Sequence, residues 1–350
     1  MTLFNSKKAT IKTVLALIAS LLVCCVGYYA YLMYLNPNIK VEDGDSEFLY
    51  VERDDTFEDV LAKLSECSCL RNKETFRQLA ILEGYDKHIV PGRYALRNNM
   101  HNKRLLRNLQ RGYQTPTKIT FNNIRTKEQL AQKLSEQLMT DSTEIITLLN
   151  NKEYLQTLGL TPDNAVSIFI PNTYEVYWTI SAEDLMERMQ KEYERFWTKK
   201  RRKQAEETGL TRFEISTLAS IVEEESNIAD EKSTIAGLYI NRLHRNMPLQ
   251  ADPTVRFALN DFTIKRVLRE HLKTESPYNT YLNCGLPPGP IRIPSIADID
   301  AVLNYERHNY LYMCAKEDLS GRHAFASSFS EHQRNAVRYR KSLNKLNIYK

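Results

Sequence analysis

The sequence lacks the cysteine and histidine patterns that mark metal sites and redox motifs. It contains no C-x-x-C pair and no H-E-x-x-H motif, and its seven histidines are scattered along 350 residues. Metal-binding sequences bring such ligands together at short, characteristic spacings. We therefore expect no metal site, and nothing in the sequence calls for a cofactor.

A strong charge of one sign is also missing. Lys and Arg number 48 against 43 Asp and Glu, which gives a net charge of +5. A nucleic-acid binder usually concentrates its basic residues in a stripe. The longest basic run, residues 199–203, falls in a predicted helix that is also rich in Glu, a pattern typical of a solvated face. Nucleic acid is therefore not an expected partner.

The six cysteines impose no disulfide framework. Two of them lie inside an apolar N-terminal segment. Cys67 and Cys69 are two positions apart, which is poor geometry for a mutual bridge on one strand or helix. Cys284 and Cys314 can pair in an oxidising compartment, but nothing in the sequence requires it.

The N-terminus predicts a membrane anchor. Residues 14–35 carry no charge, and a spanning helix needs roughly 20 residues. Basic residues precede this segment and acidic residues follow it: Lys7, Lys8 and Lys12, then Glu42, Asp43 and Asp45. Since positive residues stay on the cytoplasmic side, we predict a cytoplasmic tail at 1–13, a transmembrane helix at 14–35 and an exported remainder. A cleaved signal peptide is the alternative, although its apolar region is usually only about 7–15 residues long.

The exported part reads as an α+β protein in three segments, 46–112, 113–205 and 206–350. The first has a strand–helix–helix–strand pattern. A segment of this size can be a carbohydrate-binding module or a spacer that packs on the rest of the chain. The second includes a long predicted helix from Ala182 to about Glu207, whose apolar stripe indicates core packing. A Tyr/Trp cluster at 174–178 either stacks on sugar rings or packs internally.

The third segment carries an unusual run of three glutamates. A capping-box pattern, T-x-x-E, begins a helix at residue 211. At about 100° per residue, Glu225 falls about 20° from Leu218 and so lies within the apolar stripe. Glu223 and Glu224 fall about 140° and about 120° away, outside it. We therefore predict two surface charges and one carboxylate that faces the core.

A carboxylate on an apolar face must be paired, solvated in a cleft or protonated. Desolvation raises the pKa of a carboxyl group, which suits a general acid that works near neutral pH. Glu225 is therefore a candidate acid/base. The alternative is a helix-end side chain that simply reaches solvent.

Downstream loops offer further polar candidates. Asp252 precedes Pro253, a pattern that predicts a helix cap with proline in the first turn. Gln250 has no such structural role. Five prolines between residues 277 and 294 fix an extended loop rich in Tyr, Asn and Thr. Such a loop suits sugar hydroxyls, and it equally suits a domain brace.

The segment A-S-I-V-E-E-E-S at 219–226 resembles the signature of the membrane-bound endolytic murein transglycosylases, the YceG-like family. Further motifs follow in the order and spacing of that family: I-N-R-L at 240–243, L-Q-A-D-P-T at 249–254, Y-N-T-Y at 278–281, G-L-P-P-G-P-I at 285–291, Y-L-Y at 310–312 and H-A-F at 323–325. The resemblance covers the exported region, most closely over residues 168–335. The chain departs from it at Glu224, where many members carry Lys, around Cys284 and after Lys316.

The resemblance implies a single N-terminal span, a small LysM-like subdomain and an α+β catalytic domain. We assign the subdomain to 46–112 and the catalytic domain to 206–350, with 113–205 as a linking α+β region. It implies cleavage within peptidoglycan glycan strands, between N-acetylmuramic acid and N-acetylglucosamine, with a 1,6-anhydro end and no cofactor. The catalytic glutamate of the family, the second of a Glu-x-Glu pair, corresponds to Glu225.

A lytic enzyme can work with one carboxylate, unlike ordinary glycosidases, which need two. On this reading Glu225 acts first as acid and then as base. The substrate-binding candidates are Asn241, Gln250, Asp252, Tyr278, Asn279 and His323. For His323 a satisfied core histidine is the alternative.

The residues alone are also compatible with two other functions. A water-using muramidase would take Asp252 as its second carboxylate. A membrane-tethered peptidoglycan-binding scaffold would use the 46–112 unit and need no catalysis. The resemblance favours the enzyme, which would sit in the inner (plasma) membrane with its catalytic domain outside. There it would trim or terminate nascent strands beside peptidoglycan synthases.

Overall fold

The structure is a computed structural model that describes residues 2–41, 47–67 and 69–345, without the side chains of residues 2–10. The acidic residues predicted to follow the span, Glu42, Asp43 and Asp45, lie outside the described residues, as do the side chains of Lys7 and Lys8. The chain divides into two compact units, Met1–Lys118 with Glu175–Ile180 and Ile119–Tyr174 with Ser181–Lys350.

The N-terminal unit begins with helix α1 (Thr2–Tyr34). Its stretch Ile11–Tyr34 has a mean hydropathy of 2.1 and is, within the described part of the chain, the one helical stretch long and apolar enough to cross a membrane. Its large apolar side chains, such as Leu17 and Val23, are exposed. An apolar helix of this length fits a membrane anchor or a signal sequence.

The predicted strand–helix–helix–strand unit is confirmed in the N-terminal unit. Its elements are β1 (Glu47–Val51), α2 (Phe57–Glu66), α3 (Lys73–Leu82), β2 (Gly92–Leu96) and α4 (Asn102–Gln110). Strands β1 and β2 pair antiparallel, with Phe48 opposite Ala95. Thr56 starts α2 with a capping box, which satisfies backbone donors at the helix start. Apolar side chains of both helices, such as Leu64 and Leu79, are fully buried in a shared core.

The cysteine prediction was wrong at one pair. Cys67 and Cys69 form a disulfide, with their Cα atoms 5.2 Å apart. The sequence argument placed both on one helix or strand, but α2 ends at Glu66 and Cys67 already belongs to the following turn. The Cα separation of this pair lies within the range that a disulfide can bridge. Cys284 and Cys314 are free thiols.

The remaining elements are β3 (Thr117–Thr120), α5 (Lys127–Ser135), α6 (Ser142–Asn150), α7 (Lys152–Thr157), β4 (Thr173–Val176), α8 (Ala182–Phe196), α9 (Lys199–Thr208), α10 (Arg212–Glu225), α11 (Lys232–His244), α12 (Asp252–Ala258), α13 (Ile296–Leu303), β5 (Tyr312–Ala315), β6 (His323–Ala326) and α14 (Phe329–Lys345). Strands β5 and β6 form an antiparallel hairpin. The structure is thus mixed α and β, as predicted.

The long helix predicted from Ala182 to about Glu207 is instead two helices, α8 and α9. Trp197 and Thr198 separate them, and the Thr198 side chain caps α9 by accepting a hydrogen bond from the amide of Arg201. Threonine is a preferred N-cap because its hydroxyl satisfies an unpaired helix donor. The predicted core stripe is confirmed at Leu185 and Met189, which are buried.

The aromatic cluster after residue 172 begins with a packing residue. Tyr174 is buried and stacks on Phe121 with ring centroids 5.8 Å apart. Its hydroxyl donates to the carbonyl of Ile170. Because this hydroxyl is satisfied within the protein, Tyr174 packs internally and presents no face to a sugar.

Helix α10 is the central element of the C-terminal unit. Ile215, Leu218 and Val222 on its predicted apolar stripe are fully buried, and α11, α12 and α13 all pack against it. The capping box at Thr211 is confirmed. The helix ends at Glu225, because Ser226 is already extended.

Candidate active site

A cleft of about 410 Å³ lies at the end of α10. Glu225, the neighbouring α11, the first residue of α12, the β5–β6 hairpin and the start of α14 line it. Three other sequence candidates share this cleft: Gln250, Asp252 and His323. Four of the seven predicted site residues are thus brought together.

The Glu225 carboxyl group lies on the cleft wall and is poorly solvated. Its Oε1 accepts a 2.8 Å hydrogen bond from the hydroxyl of Tyr239 on α11. Burial, with a smaller contribution from the charge of Asp252, raises the pKa of Glu225 to about 7 against the opposing effects of the Tyr239 hydrogen bond and Arg256. Near neutral pH this group can therefore both donate and accept a proton.

Asp252 does not cap its helix, so that part of the sequence prediction was wrong. Ala251 occupies the N-cap position, and α12 has no side-chain cap. Asp252 instead points into the cleft, where its Oδ1 accepts a 2.6 Å hydrogen bond from the hydroxyl of Tyr281. Burial and the contact with Asp252 raise the pKa of Tyr281, so this phenol remains a donor.

Gln250 is held in the cleft by an unusual backbone conformation. Its φ of 52° is left-handed, which few non-glycine residues adopt and which recurs at functional sites. The backbone amide of Gln250 donates to the carbonyl of Thr280, and its side-chain Oε1 accepts a 3.3 Å hydrogen bond from Arg242. Arg242 is buried and also donates to the Leu249 carbonyl. The surrounding contacts therefore fix both the backbone and the side chain of Gln250.

His323 is fixed in the cleft wall by Glu231. The Glu231 carboxylate is almost fully buried, and its Oε1 accepts from the His323 amide at 3.0 Å. Its Oε2 lies 3.2 Å from His323 Nδ1. A carboxylate on Nδ1 selects the tautomer with a proton there and leaves Nε2 as the ring nitrogen that can contact a ligand.

The structure does not bring Asn241 or Asn279 to the cleft. Asn241 donates its side-chain amide to the carbonyls of His308 and Tyr310, at 2.7 and 3.1 Å. Asn279 is fully buried and donates to two carbonyls in residues 272–274. Both amides satisfy backbone acceptors in irregular segments, which is a structural role. Neither side chain lines the cleft, and contact of either with substrate stays a prediction.

Tyr278 also lies outside the cleft. Its hydroxyl donates to Asp163 at 3.2 Å, and its ring lines a second cavity of about 340 Å³. Tyr281, three residues later, is the member of the Y-N-T-Y motif that reaches the catalytic cleft. The rigid loop thus directs two tyrosines to two different cavities.

Glu223 and Glu224 are not the surface charges that the helical wheel predicted. Arg292 binds both, with N–O distances of 3.0 Å to Glu223 and 2.7 Å to Glu224. Arg125 adds a second cation on Glu224 at 3.0 Å. The loop that carries Arg292 covers this face of α10, so both carboxylates are largely buried within ion pairs.

Sequence reasoning missed Tyr239, Arg242 and Tyr281 as individual site residues. Arg242 and Tyr281 lie within recognised motifs, I-N-R-L and Y-N-T-Y, which offered a signal. Tyr239 lies outside them. A buried tyrosine usually needs a hydroxyl partner, but the sequence does not reveal that this partner is Glu225.

The fold and site together define a class of protein. It is an α+β protein with a cleft built around one desolvated glutamate, beside a second carboxylate and two hydrogen-bonded tyrosines. The sequence model of the YceG-like family matches residues 49–338. This chain belongs to the YceG-like family.

Relatives with established names support this placement. The chain is 40% identical over 128 residues to a protein of Bacillus subtilis (strain 168) named endolytic murein transglycosylase, a match that covers 37% of this chain. It is 25% identical to a protein of the same name from Streptococcus pneumoniae, a match that covers 89% of this chain. The matches span 35% and 62% of the lengths of these relatives, so the chain covers less than two thirds of each.

A solved structure shares the fold. The crystal structure of a putative yceG-like protein from Listeria monocytogenes matches with a TM-score of 0.55 and 24% identity. The match covers 83% of this chain and 98% of that protein. At this identity the likeness establishes the fold alone.

Proposed function

We propose that this protein is an endolytic peptidoglycan lytic transglycosylase. It cleaves between N-acetylmuramic acid and N-acetylglucosamine within glycan strands and leaves a 1,6-anhydro end, thereby terminating or trimming nascent strands. Membership of the YceG-like family and the names of the relatives support the reaction class. The observation that carries the proposal is Glu225, whose pKa is raised to about 7 in a cleft large enough for sugar rings.

Glu225 performs both proton transfers in this mechanism. As a carboxylic acid it protonates the glycosidic oxygen, and the bond from that oxygen to the anomeric carbon breaks. The resulting carboxylate then takes the proton from the 6-hydroxyl of the same muramic acid. That oxygen bonds to the anomeric carbon, which closes the anhydro ring and returns Glu225 to its protonated form. No water is consumed, so one carboxylate suffices.

The other cleft residues hold the sugar during these steps. Gln250 presents an amide, and His323 presents its Nε2 to sugar hydroxyl or acetamido groups. Asp252 accepts a hydrogen bond from Tyr281 and adds negative charge near the anomeric carbon, where positive charge develops. The same charge contributes to the raised pKa of Glu225.

The N-terminal unit places the enzyme at its substrate. On this proposal α1 is an uncleaved anchor in the inner (plasma) membrane, with the N-terminus cytoplasmic and the remainder outside. The lysines before the apolar stretch favour this orientation. The strand–helix–helix–strand unit is the LysM-like subdomain that binds glycan. Peptidoglycan synthases, which extrude the strands, are the proposed protein partners.

The test is digestion of purified peptidoglycan by the full chain in detergent, beside Glu225→Gln. Mass spectrometry of the released fragments should show 1,6-anhydro ends for the wild type. Activity should fall by about 10² to 10⁴-fold in the variant, the usual contribution of general acid–base catalysis. Wild-type products with reducing ends would overturn the lytic mechanism.

A water-using muramidase is the second candidate, because Asp252 lies in the same cleft as Glu225. Most glycoside hydrolases use two carboxylates that flank the glycosidic bond. Reducing-end products that disappear in Asp252→Asn would establish this alternative. Binding to peptidoglycan without any product, from folded wild-type protein, would instead identify a tethered scaffold.

A further inference from the structure

A second cavity of about 340 Å³ lies in the same C-terminal unit as the catalytic cleft. It is similar in size to the cleft, and no step of the proposed mechanism uses it. Phe257 and Tyr278 form its aromatic wall, with ring centroids 4.7 Å apart. Asn260 stands at its exposed rim.

Two chain segments connect this cavity to the cleft. Helix α12 places Asp252 in the cleft and Phe257 in the second cavity. These residues are separated by about 7.5 Å along the helix, at about 1.5 Å per residue. The loop after α12 repeats the arrangement, with Tyr281 in the cleft and Tyr278 in the second cavity. At about 100° per residue, Phe257 leaves α12 about 140° around the helix axis from Asp252, so a ligand chain that fills both cavities passes around α12.

The lining of the second cavity suits a neutral, amphipathic ligand. Its two cations, Arg125 and Lys127, are matched by two carboxylates, Glu128 and Asp163. Arg125 is already paired with Glu224, and Lys127 Nζ donates to Asn150. The cavity thus presents little net charge to attract the carboxylates of a peptide. A sugar ring has an apolar face and polar hydroxyl groups around its edge. The aromatic rings of the cavity can stack on that face, and the amide and hydroxyl groups at its rim can bind the hydroxyls.

We infer that this second cavity binds saccharide units of the same glycan strand whose scissile bond lies at Glu225. The inference rests on the proposed function. It gives the second cavity a role in an enzyme that cuts inside strands: the distal sugars hold the strand in register. Long strands then bind more tightly than short ones, because only long strands fill both cavities.

The test compares cleavage of long and short peptide-free glycan strands by the full chain in detergent. Phe257→Leu keeps an apolar side chain and removes the ring. It should lower kcat/KM for long strands on the order of tenfold, the equivalent of one lost ring contact, with a smaller loss for strands too short to reach beyond the cleft. Asn260→Gly removes the rim amide while preserving the positive φ of 51° and should act in the same direction.

A matched control is Phe196→Leu, a half-buried phenylalanine at the end of α8 that lines neither cavity. It should leave the ratio of long-strand to short-strand cleavage unchanged. Thermal melting of each variant checks that the fold is retained. Should Phe257→Leu fail to fold, Asn260→Gly at the exposed rim carries the test.

Four outcomes decide the inference. An unchanged length ratio in both variants overturns it. A loss seen only with strands that retain stem peptides would mean that the cavity binds peptide, which also overturns it. If the wild type cleaves neither substrate, the proposed function has failed, and binding of long peptide-free strands is measured instead. Equal dissociation constants for wild type and Phe257→Leu then overturn the inference, and a weaker constant for the variant supports it.

Discussion

The hydroxyl of Tyr239 donates a 2.8 Å hydrogen bond to the carboxylate of Glu225. The donor is buried on α11, and the acceptor is the last residue of α10. Burial raises the pKa of Glu225, and the hydrogen bond from Tyr239 lowers it because it favours the ionised form. Tyr239 therefore lowers the pKa that burial alone would give Glu225, and in the proposed mechanism it takes no part in the proton transfers.

Replacing Tyr239 by Phe should move the pH profile of the enzyme. The change removes the donor but keeps the ring, so the pKa of Glu225 should rise above about 7. A hydrogen bond to a charged group contributes about 1.5–3 kcal/mol, or roughly one to two pH units. We expect the alkaline limb of kcat/KM to shift upward by about one unit. An unshifted limb with reduced rate would mean that Tyr239 contacts substrate instead.

Glu225 should also make stability depend on pH. Its folded pKa is about 7, against 4.5 as its ordinary value. Between these values the folded state binds more protons than the unfolded state, so stability falls as pH rises from about 4.5 to about 7. Glu225→Gln removes this effect, and we expect the variant to gain on the order of 3 kcal/mol relative to wild type from pH 4 to pH 8.

Chemical denaturation of wild type and Glu225→Gln across that range measures the gain. Asp252, Arg256 and Glu224 also influence this carboxyl group and are present in both proteins, so the difference isolates Glu225. A difference that is constant with pH would show that Glu225 titrates normally.

Arg292 should be essential for the stability of α10. It bridges Glu223 and Glu224 and donates to Asn123 at 2.8 Å. Arg292→Ala leaves two largely buried carboxylates short of a partner, and breaking a buried ion pair in this way costs about 3–5 kcal/mol. The free energy of unfolding, from denaturant titration, gives the cost.

The control for Arg292 is Arg201, which forms a similar two-pronged pair with Asp300 at 3.0 and 3.1 Å. That carboxylate is 41% exposed, and exposed pairs contribute about 0–1 kcal/mol. Arg201→Ala should therefore cost much less than Arg292→Ala. Equal costs would mean that burial of the Arg292 cluster has no energetic consequence.

Glu231 should act on catalysis through His323. Glu231→Gln keeps the shape but weakens the preference for a proton on His323 Nδ1. We expect ¹⁵N NMR to show a changed tautomer balance for His323, and kcat to fall several-fold. The neighbouring Asp230→Asn is the control, because Asp230 forms an exposed pair with Arg322 at 2.9 Å. A variant that loses activity with an unchanged His323 tautomer would show that Glu231 serves only the fold.

Local interactions made several elements predictable. The capping box at Thr211 depends on residues three positions apart, which the sequence displays directly. The same holds for the helical periodicity that placed Glu225 with Leu218 on one face. The predicted helix from Ala182 to about Glu207 missed one such local signal, the N-cap at Thr198. It therefore combined α8 and α9 into a single helix.

Contacts between distant residues escaped prediction for a physical reason. Periodicity shows which face of a helix a side chain occupies, but not what covers that face. Arg292 lies 68 positions after Glu224, yet it decides that this glutamate is paired rather than exposed. The amides of Asn241 and Asn279 bind backbone acceptors that lie outside their own motifs, and the sequence does not show these contacts.

The sequence by itself determined the apolar N-terminal segment, the capped helix that ends in Glu225 and membership of a family, since these rest on composition, short-range pattern and motif order. The tertiary structure alone decided the chemistry available to each side chain. Glu225 acquires its raised pKa because the surrounding chain buries it beside Asp252, while the hydrogen bond from Tyr239 limits the shift. Burial and the electrostatics it creates depend on residues far apart in the chain, so only the folded protein sets them.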